Sequence, residues 1–211
     1  MAKVLVLGAS GQIGKQATGK LLKRGHHVLA PVRSPDKLSD IENDNLQVIE
    51  QDLEKDFSSH FKNVDVVVFT AGSGGNTGAD KTIMIDLWAA IKAVNYAKEA
   101  QTPKFVMVSS IGAGDPDSVD GTIKPYLVAK HVADDYLINS GIQHIILRPG
   151  TLLNEPGTHL VRTDMPNNKS DAVIPREDVA TAIVESVGRT NEDNMITYLF
   201  KGEEPISQIF E

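Results

Sequence analysis

The chain has no cysteine, so disulfides, thiolate metal sites and cysteine nucleophiles are excluded together, and a reducing, cytoplasmic setting is expected. Nor does it have a long apolar run. The first, in "MAKVLVLGAS", lasts about five residues before glycine interrupts it, too short for a signal h-region or a membrane-spanning helix. Basic residues are outnumbered, 21 Lys and Arg against 28 Asp and Glu, for a net charge of -7. A surface that neutralises nucleic acid or anionic lipid needs a clustered basic excess, so neither is an expected partner and any nucleotide bound is small. No repeat of fixed period is present. His26 and His27 lack the ligand spacing of a metal site, and no metal is expected. Asn168-Lys169-Ser170 matches a glycosylation acceptor and, with no export signal to go with it, reads as chance.

What is present is a globular composition, 41 % hydrophobic and 23 % charged with 17 glycines, in a length that suits one sizeable core. Short β-branched runs alternate with segments of helical period. Strands are predicted at 3–7, 27–32, 46–51, 64–70, 104–109 and 143–148, and helices at 13–24, 53–61, 80–100 and 125–140. Several strands are apolar almost continuously, as strands covered on both faces are. The pattern predicts an α/β protein, a doubly wound parallel sheet in three α/β/α layers. Gly25 and Gly141 stand where left-handed caps end helices, and Pro125 suits a first helical turn. After Pro149 the order loosens; "PREDVATAIVESVG" reads as a helix whose start Glu177 and Asp178 cap, and "MITYLF" as a last strand. The tail is too small for a domain of its own, so residues 1–150 are expected to bind a coenzyme and 151–211 to add a small substrate-side segment.

The segment "GASGQIG" spans Gly8, Gly11 and Gly14 where the first strand passes into the first helix. At such a junction Gly8 permits the tight turn, Gly11 lets a pyrophosphate approach the main chain, and Gly14 lets helix pack on sheet. The helix start, with Gln12 and Ile13, offers unpaired N–H groups and a partial positive charge to the phosphates, and Ser10 adds a hydroxyl. A dinucleotide follows. The end of the second strand, "VLAPVRSPDK", lacks the carboxylate that takes the ribose 2′-hydroxyl of NAD and carries Arg33 and Ser34, with Lys37 near, which favours the 2′-phosphate of NADP. The alternative is NAD, with Asp36 on the ribose and Arg33 a solvated cation. Asp52 and Leu53 follow the third strand and are placed beside the adenine; Ala71 and Gly72 follow the fourth, where bare backbone suits a ribose-phosphate.

Chemistry centres on "KPYLVAK", which sets Tyr126 and Lys130 one helical turn apart. A phenol of ordinary pKa near 10 is a poor proton donor or acceptor at neutral pH unless a cation favours its ionised form, and the Lys130 ammonium is expected to supply one. Upstream, "FVMVSSIGAG" places Ser109 and Ser110 at the C-terminal end of the fifth strand, where ligands of an open parallel sheet collect. The alternative is an amphipathic helix with a surface Tyr and Lys. Adjacent Asp134 and Asp135 diverge by about a hundred degrees on their helix and are read as solvated. "GSGGNTGAD", residues 72–80, suits either a lid or a surface loop, and His159 and Arg162 lie in the tail where a substrate would be met.

"GASGQIG", "VMVSSIGA", "YLVAK" and "LRPG" occur in the order that resembles the short-chain dehydrogenase/reductase superfamily, over nearly the whole chain. The short tail, Arg33 and "PREDVATAI" look most like its atypical NAD(P)H-binding branch, similar to epimerase-like, flavin reductase-like and nitrogen-repressor-like proteins. The resemblance implies a Rossmann fold, with Tyr126, Lys130 and Ser110 as catalytic residues, Lys130 also on the nicotinamide ribose, and Pro149 and Gly150 against the nicotinamide. The expected function is that of an NADP-dependent oxidoreductase acting on a small carbonyl, quinone or flavin, because the brief tail leaves little to cover a large sugar nucleotide. The alternatives are an epimerase or dehydratase with retained coenzyme, and a non-catalytic coenzyme sensor. A monomer or homodimer with a small-molecule substrate is expected.

Overall fold

The computed structural model describes residues 1–75 and 77–211; Asn76, within the glycine-rich 72–80 stretch, lies outside the described residues. Strand β1 (Lys3–Leu7) shows why the chain layers as it does. Its side chains alternate, and both sets are apolar: Val4 and Val6 pack with Ala17 and Leu21 of α1 (Gln12–Lys23), whereas Leu5 and Leu7 pack into a second core on the opposite face. Such a strand is stable only between two layers of helix.

Strands β2 (His27–Val32), β3 (Leu46–Glu50) and β4 (Val66–Phe69) follow. The chain then forms α2 (Ala79–Lys81), a π-helical segment Thr82–Ala89, α3 (Ala90–Glu99), β5 (Lys104–Val108), α4 (Lys124–Ile138) and β6 (Gln143–Pro149). The tail holds β7 (Thr151–Leu153), β8 (Leu160–Arg162), β9 (Val173–Pro175), α5 (Arg176–Gly188), β10 (Met195–Lys201), β11 (Glu204–Pro205) and α6 (Ile206–Ile209). The nine-stranded sheet runs β11-β8-β10-β6-β5-β4-β1-β2-β3, parallel from β3 through β10 and antiparallel where β8 and β11 finish the edge. Helices α1 and α5 share one core; α3 and α4 share the other. Strand order reverses beside β1, whose neighbours are β2 and β4, and a crevice opens there at the carboxyl ends of the strands. No helix among the described residues is long and apolar enough to cross a membrane.

The predicted strands and the helices at the first, third and fourth positions are present within a few residues, and Gly25 and Gly141 hold the expected positive φ, 78° and 83°. The expected 53–61 helix is corrected to a single 3₁₀ turn, Ser58–Phe61. There the Asp52 carboxylate accepts from the Glu54 N–H and Asp56 from the Ser58 N–H, each at 2.9 Å, local bonds that compete with a helix ladder. The loop is then pinned by the Lys92 ammonium, which donates to the carbonyls of Leu53 at 2.7 Å and Lys55 at 2.6 Å. Phe57 and Phe61 bury against Tyr96 beneath it. "MITYLF" is not the last strand, since β11 follows, and Gly202 makes the corner: a Cβ there would stand 2.3 Å from the Val161 carbonyl carbon. Gly202→Ala is therefore expected to destabilise the fold by about 1–3 kcal/mol through overpacking against backbone. An unshifted urea midpoint would refute this account of the corner.

Candidate active site

At the end of β1 the backbone folds so tightly that side chains have no room. Gly8 holds φ +94°, and a Cβ on it would lie 2.5 Å from the Ala71 nitrogen. The Gly11 N–H donates to the Gly8 carbonyl at 2.9 Å, and a Cβ on Gly14 would stand 2.2 Å from that same oxygen. Helix α1 opens with no side-chain cap at Gly11, leaving first-turn N–H groups of the kind that take an anion. The bare backbone and uncapped helix start fit the diphosphate of a dinucleotide.

A cavity of about 210 Å³ lies over this loop. Gly8, Ser10 and Gly11 form one wall, Arg33 and Leu53 reach in from the ends of β2 and β3, and Ala71 with Gly72 close it from β4. Arg33 and Lys37 bring two cations and, among the described residues, no carboxylate lines the cavity; Asp36 stands exposed on the 3₁₀ turn Pro35–Leu38. Pro31, Val32, Gln51, Thr70 and Ile85 also line it and were not expected from sequence; the first four flank predicted strand ends, a usable signal, whereas Ile85 enters through the π-helical turn.

Several expected coenzyme residues lie off this cavity. Gly14 is buried beneath the loop, Ile13 packs on the core, and Gln12 lines a separate groove along α1. Ser34 precedes the 3₁₀ turn, and Asp52 uses its carboxylate on the Glu54 N–H. Pro149 ends β6 and Gly150 follows it, where a Gly150 Cβ would meet the Ala172 carbonyl at 2.3 Å.

The cluster expected to be catalytic forms where α4 passes over the end of β5. Pro125 in its first turn starts the helix, and Tyr126, Lys130 and Asp134 follow at four-residue intervals on one face. Lys130 is 2 % exposed; its ammonium donates to the Val108 carbonyl at 2.7 Å and lies 5.8 Å from the Phe69 ring centroid. Burial lowers its pKa, against the opposing pull of Asp86 and Asp134. Tyr126 departs from expectation. Burial first, then the charges of Asp86 and Asp134, push its phenol well above the ordinary tyrosine range, while the Ser110 hydroxyl acts in the opposite direction. The expected lowering by Lys130 is thus corrected: that ammonium is engaged by a backbone carbonyl, and the charges that shift the phenol are those of Asp86 and Asp134.

Asp86, 2 % exposed, comes from the π-helical segment and accepts from the Ser73 N–H at 2.9 Å, linking the strand end that closes the cavity to the face bearing Tyr126. Asp134 is also corrected. It is fully buried, not solvated, and its Oδ2 accepts from Ser109 Oγ at 2.7 Å and from Arg148 Nε at 3.1 Å, whereas Asp135 is exposed as read. Burial raises its pKa, with Lys130 the largest opposing influence. Glu177 and Asp178 do not cap their own helix with side chains; they hold the loop before β8. Glu177 accepts from the Gly157 N–H at 2.9 Å, and Asp178 from the N–H groups of Thr158 at 3.0 Å and His159 at 2.8 Å. His159 is thereby fixed at φ 59°, and Arg162 pairs with Asp164.

A family profile described as NAD(P)H-binding matches residues 8–190. The chain is 36 % identical over 210 residues, 98 % of this chain and 97 % of the relative, to YhfK of Bacillus subtilis (strain 168), an uncharacterized sugar epimerase. A solved Bacillus halodurans protein, provisionally named an NAD-dependent epimerase/dehydratase, superposes with a TM-score of 0.93 at 38 % identity, covering 100 % of this chain and 99 % of that one. The oxidoreductase ylbE of Lactococcus lactis shares the fold, with a TM-score of 0.85 at 24 % identity and 99 % and 94 % coverage.

The raised pKa of Tyr126 has a spectroscopic consequence. At about pH 10, where an ordinary tyrosine is half ionised, the phenolate difference spectrum between wild type and Tyr126→Phe is expected to be blank. Between that pH and the folded pKa the folded chain holds a proton that the unfolded chain releases, so this group's contribution to stability falls as pH rises past 10. Half-ionisation of Tyr126 at pH 10 would contradict the electrostatics described.

Proposed function

The chain belongs to the NAD(P)H-binding family, and from that premise we propose that it is an NADP-preferring oxidoreductase that reduces a small carbonyl, quinone or flavin-like acceptor. The observation that carries the reading is the placement of Tyr126 on α4, one turn before Lys130, whose ammonium is bonded to the Val108 carbonyl at the end of β5 that leads into Ser109 and Ser110. A protonated phenol is a donor. When bound, the reduced nicotinamide supplies the hydride, the difficult part of the chemistry. Ser110 holds the acceptor oxygen, and Tyr126 gives it the proton as negative charge develops there. Proton loss would add a charge near Asp86 and Asp134, so the phenol is a weak acid that gives its proton to a strongly basic oxygen, such as the alkoxide formed from a carbonyl.

For the coenzyme, the amides at the start of α1 take the diphosphate and Lys130 the nicotinamide ribose, with Pro149 and Gly150 flanking the ring. Arg33 and Lys37, with Ser10, form the 2′-phosphate end, since among the described residues the cavity there offers cations and no acid to repel a phosphate. The short segment between Thr151 and Pro175 is the substrate side. A second reading, epimerisation or dehydration with retained coenzyme, draws support from the names of the two Bacillus relatives.

Two measurements test the reading. Arg33→Ala is expected to weaken NADPH binding by about 1.5–3 kcal/mol, roughly ten- to a hundredfold, and to leave NADH binding unaltered; equal loss of both coenzymes would remove the 2′-phosphate assignment. Tyr126→Phe is expected to lower NADPH-dependent reduction of small acceptors by about a hundredfold or more with its NADPH dissociation constant within about twofold of wild type. Full activity in that variant would reject the phenol as the proton donor, and turnover confined to sugar nucleotides would favour the second reading.

A further inference from the structure

We propose that Asp134, acting with Arg148, is a positioning residue that captures Ser109 and thereby presents Ser110, the next residue, to Tyr126. This rests on the reading of Ser110 and Tyr126 given above. The two serines are chemically identical neighbours at the tip of β5, and the sequence offers nothing to choose between them. The structure does. Ser109 continues the alternation of Phe105 and Met107 toward the α3/α4 core, and its hydroxyl is bonded to Asp134 at 2.7 Å. Asp134 stands on the helix that carries Tyr126, so its bond to Ser109 ties the tip of β5 to α4, and Ser110, next along in extended backbone at φ -152° and ψ 150°, is set relative to that helix.

The carboxylate is built for geometry more than for its own satisfaction. Asp134 is 0 % exposed, and its Oδ2 takes Ser109 Oγ, Arg148 Nε and Arg148 Nη2 at 2.7, 3.1 and 3.1 Å, while its Oδ1 has no partner among the described residues. A buried ion pair is weak evidence for stability, because apolar replacements of the same volume are often as stable. This one joins the parts that must be in register. Asp134 lies on the helix that carries Tyr126 and Lys130, and Arg148 precedes Pro149 and Gly150. The guanidinium also presses on the turn Ile111–Gly114: its Nη1 would stand 2.8 Å from a Gly114 Cβ, and its Cζ is 6.0 Å from the Tyr198 ring centroid. The same turn is tied back to α4 by His131 Nδ1 and the Ala113 carbonyl at 2.7 Å.

The test compares Asp134→Asn, Asp134→Glu and Ser109→Ala with Ser110→Ala, alone and combined. Asp134→Asn and Ser109→Ala are expected to lower kcat about tenfold or more with NADPH affinity and KM near wild type, and Asp134→Glu to recover part of it. Adding Asp134→Asn to Ser110→Ala is expected to lower kcat no further, because the two act through one contact. Additive losses, or a fully active Ser109→Ala, would overturn the proposal; should Asp134→Asn fail to fold, Ser109→Ala decides. Hydrogen exchange provides an arm that needs no turnover: amides 109–114 are expected to exchange about tenfold faster in both single variants, with those of 12–16 unaltered. Unchanged exchange at 109–114 would overturn the positioning role, whereas altered exchange in a chain that reduces no acceptor would reject the proposed reaction alone.

Discussion

The distance between the Gly8 carbonyl and the α-carbon of Gly14 governs everything above the sheet. A methyl group at Gly14 would sit 2.2 Å from that oxygen, so α1 lies as close to the end of β1 as backbone can lie. This approach aims the uncapped helix start across the crevice beside β1. It also sets where the rest of α1 runs, and so where Ala17 and Leu21 meet Val179 and Ile183 of α5. One steric condition therefore positions an anion cradle and the packing of a helix from the far end of the chain.

A second condition is electrostatic. Three ionisable side chains, Lys130, Asp86 and Asp134, are removed from water near the tip of β5 with Arg148 half-buried beside them, each offset by partners that are only partly ionic. Lys130 rests on a carbonyl, Asp86 on an amide, and Asp134 on a hydroxyl and a guanidinium. Desolvation works against every charge in such a place. The neutral member of the group, Tyr126, bears the result: adding a negative charge there is opposed by burial and by both acids. A phenol surrounded in this way keeps its proton and would yield it only to a strongly basic partner.

The parts of this arrangement that could be read from sequence are those fixed by backbone sterics and local period. Glycines at a strand-helix junction, β-branched runs, Pro125 and the Tyr126–Lys130 spacing each depend on residues near in sequence, and their positions in the fold follow. The parts that escaped are set by distant partners. Nothing near Asp134 reveals that Arg148 and Ser109 will surround it, and its neighbour Asp135, chemically the same, is in water. Ile85 and Asp86 face the site because the helix widens to π-helical turns over Thr82–Ala89, a change of period that a search at 3.6 residues per turn does not detect. The missed 53–61 segment fails for the opposite reason: its acidic side chains bond to nearby amides, and a lysine distant in sequence fixes the resulting loop.

The tail illustrates how sequence order and spatial role diverge. Read along the chain, everything after Pro149 looks like an appendage on the substrate side. In space, β10 pairs with β6 in parallel register and α5 fills the same core as α1, so the tail completes the sheet and the layer beneath the coenzyme cradle. The short stretch between β7 and α5 is left outside that layer, and α5 holds it through Glu177 on the Gly157 amide and Asp178 on the amides of Thr158 and His159. Two acids in the first turn are favoured there by the helix dipole whatever they bond. Turned outward onto a loop, they transmit the rigidity of a buried helix to a segment with little core of its own. A small fold can in this way hold an ordered loop without a second domain, because the helix that braces the loop belongs to the layer that α1 also fills.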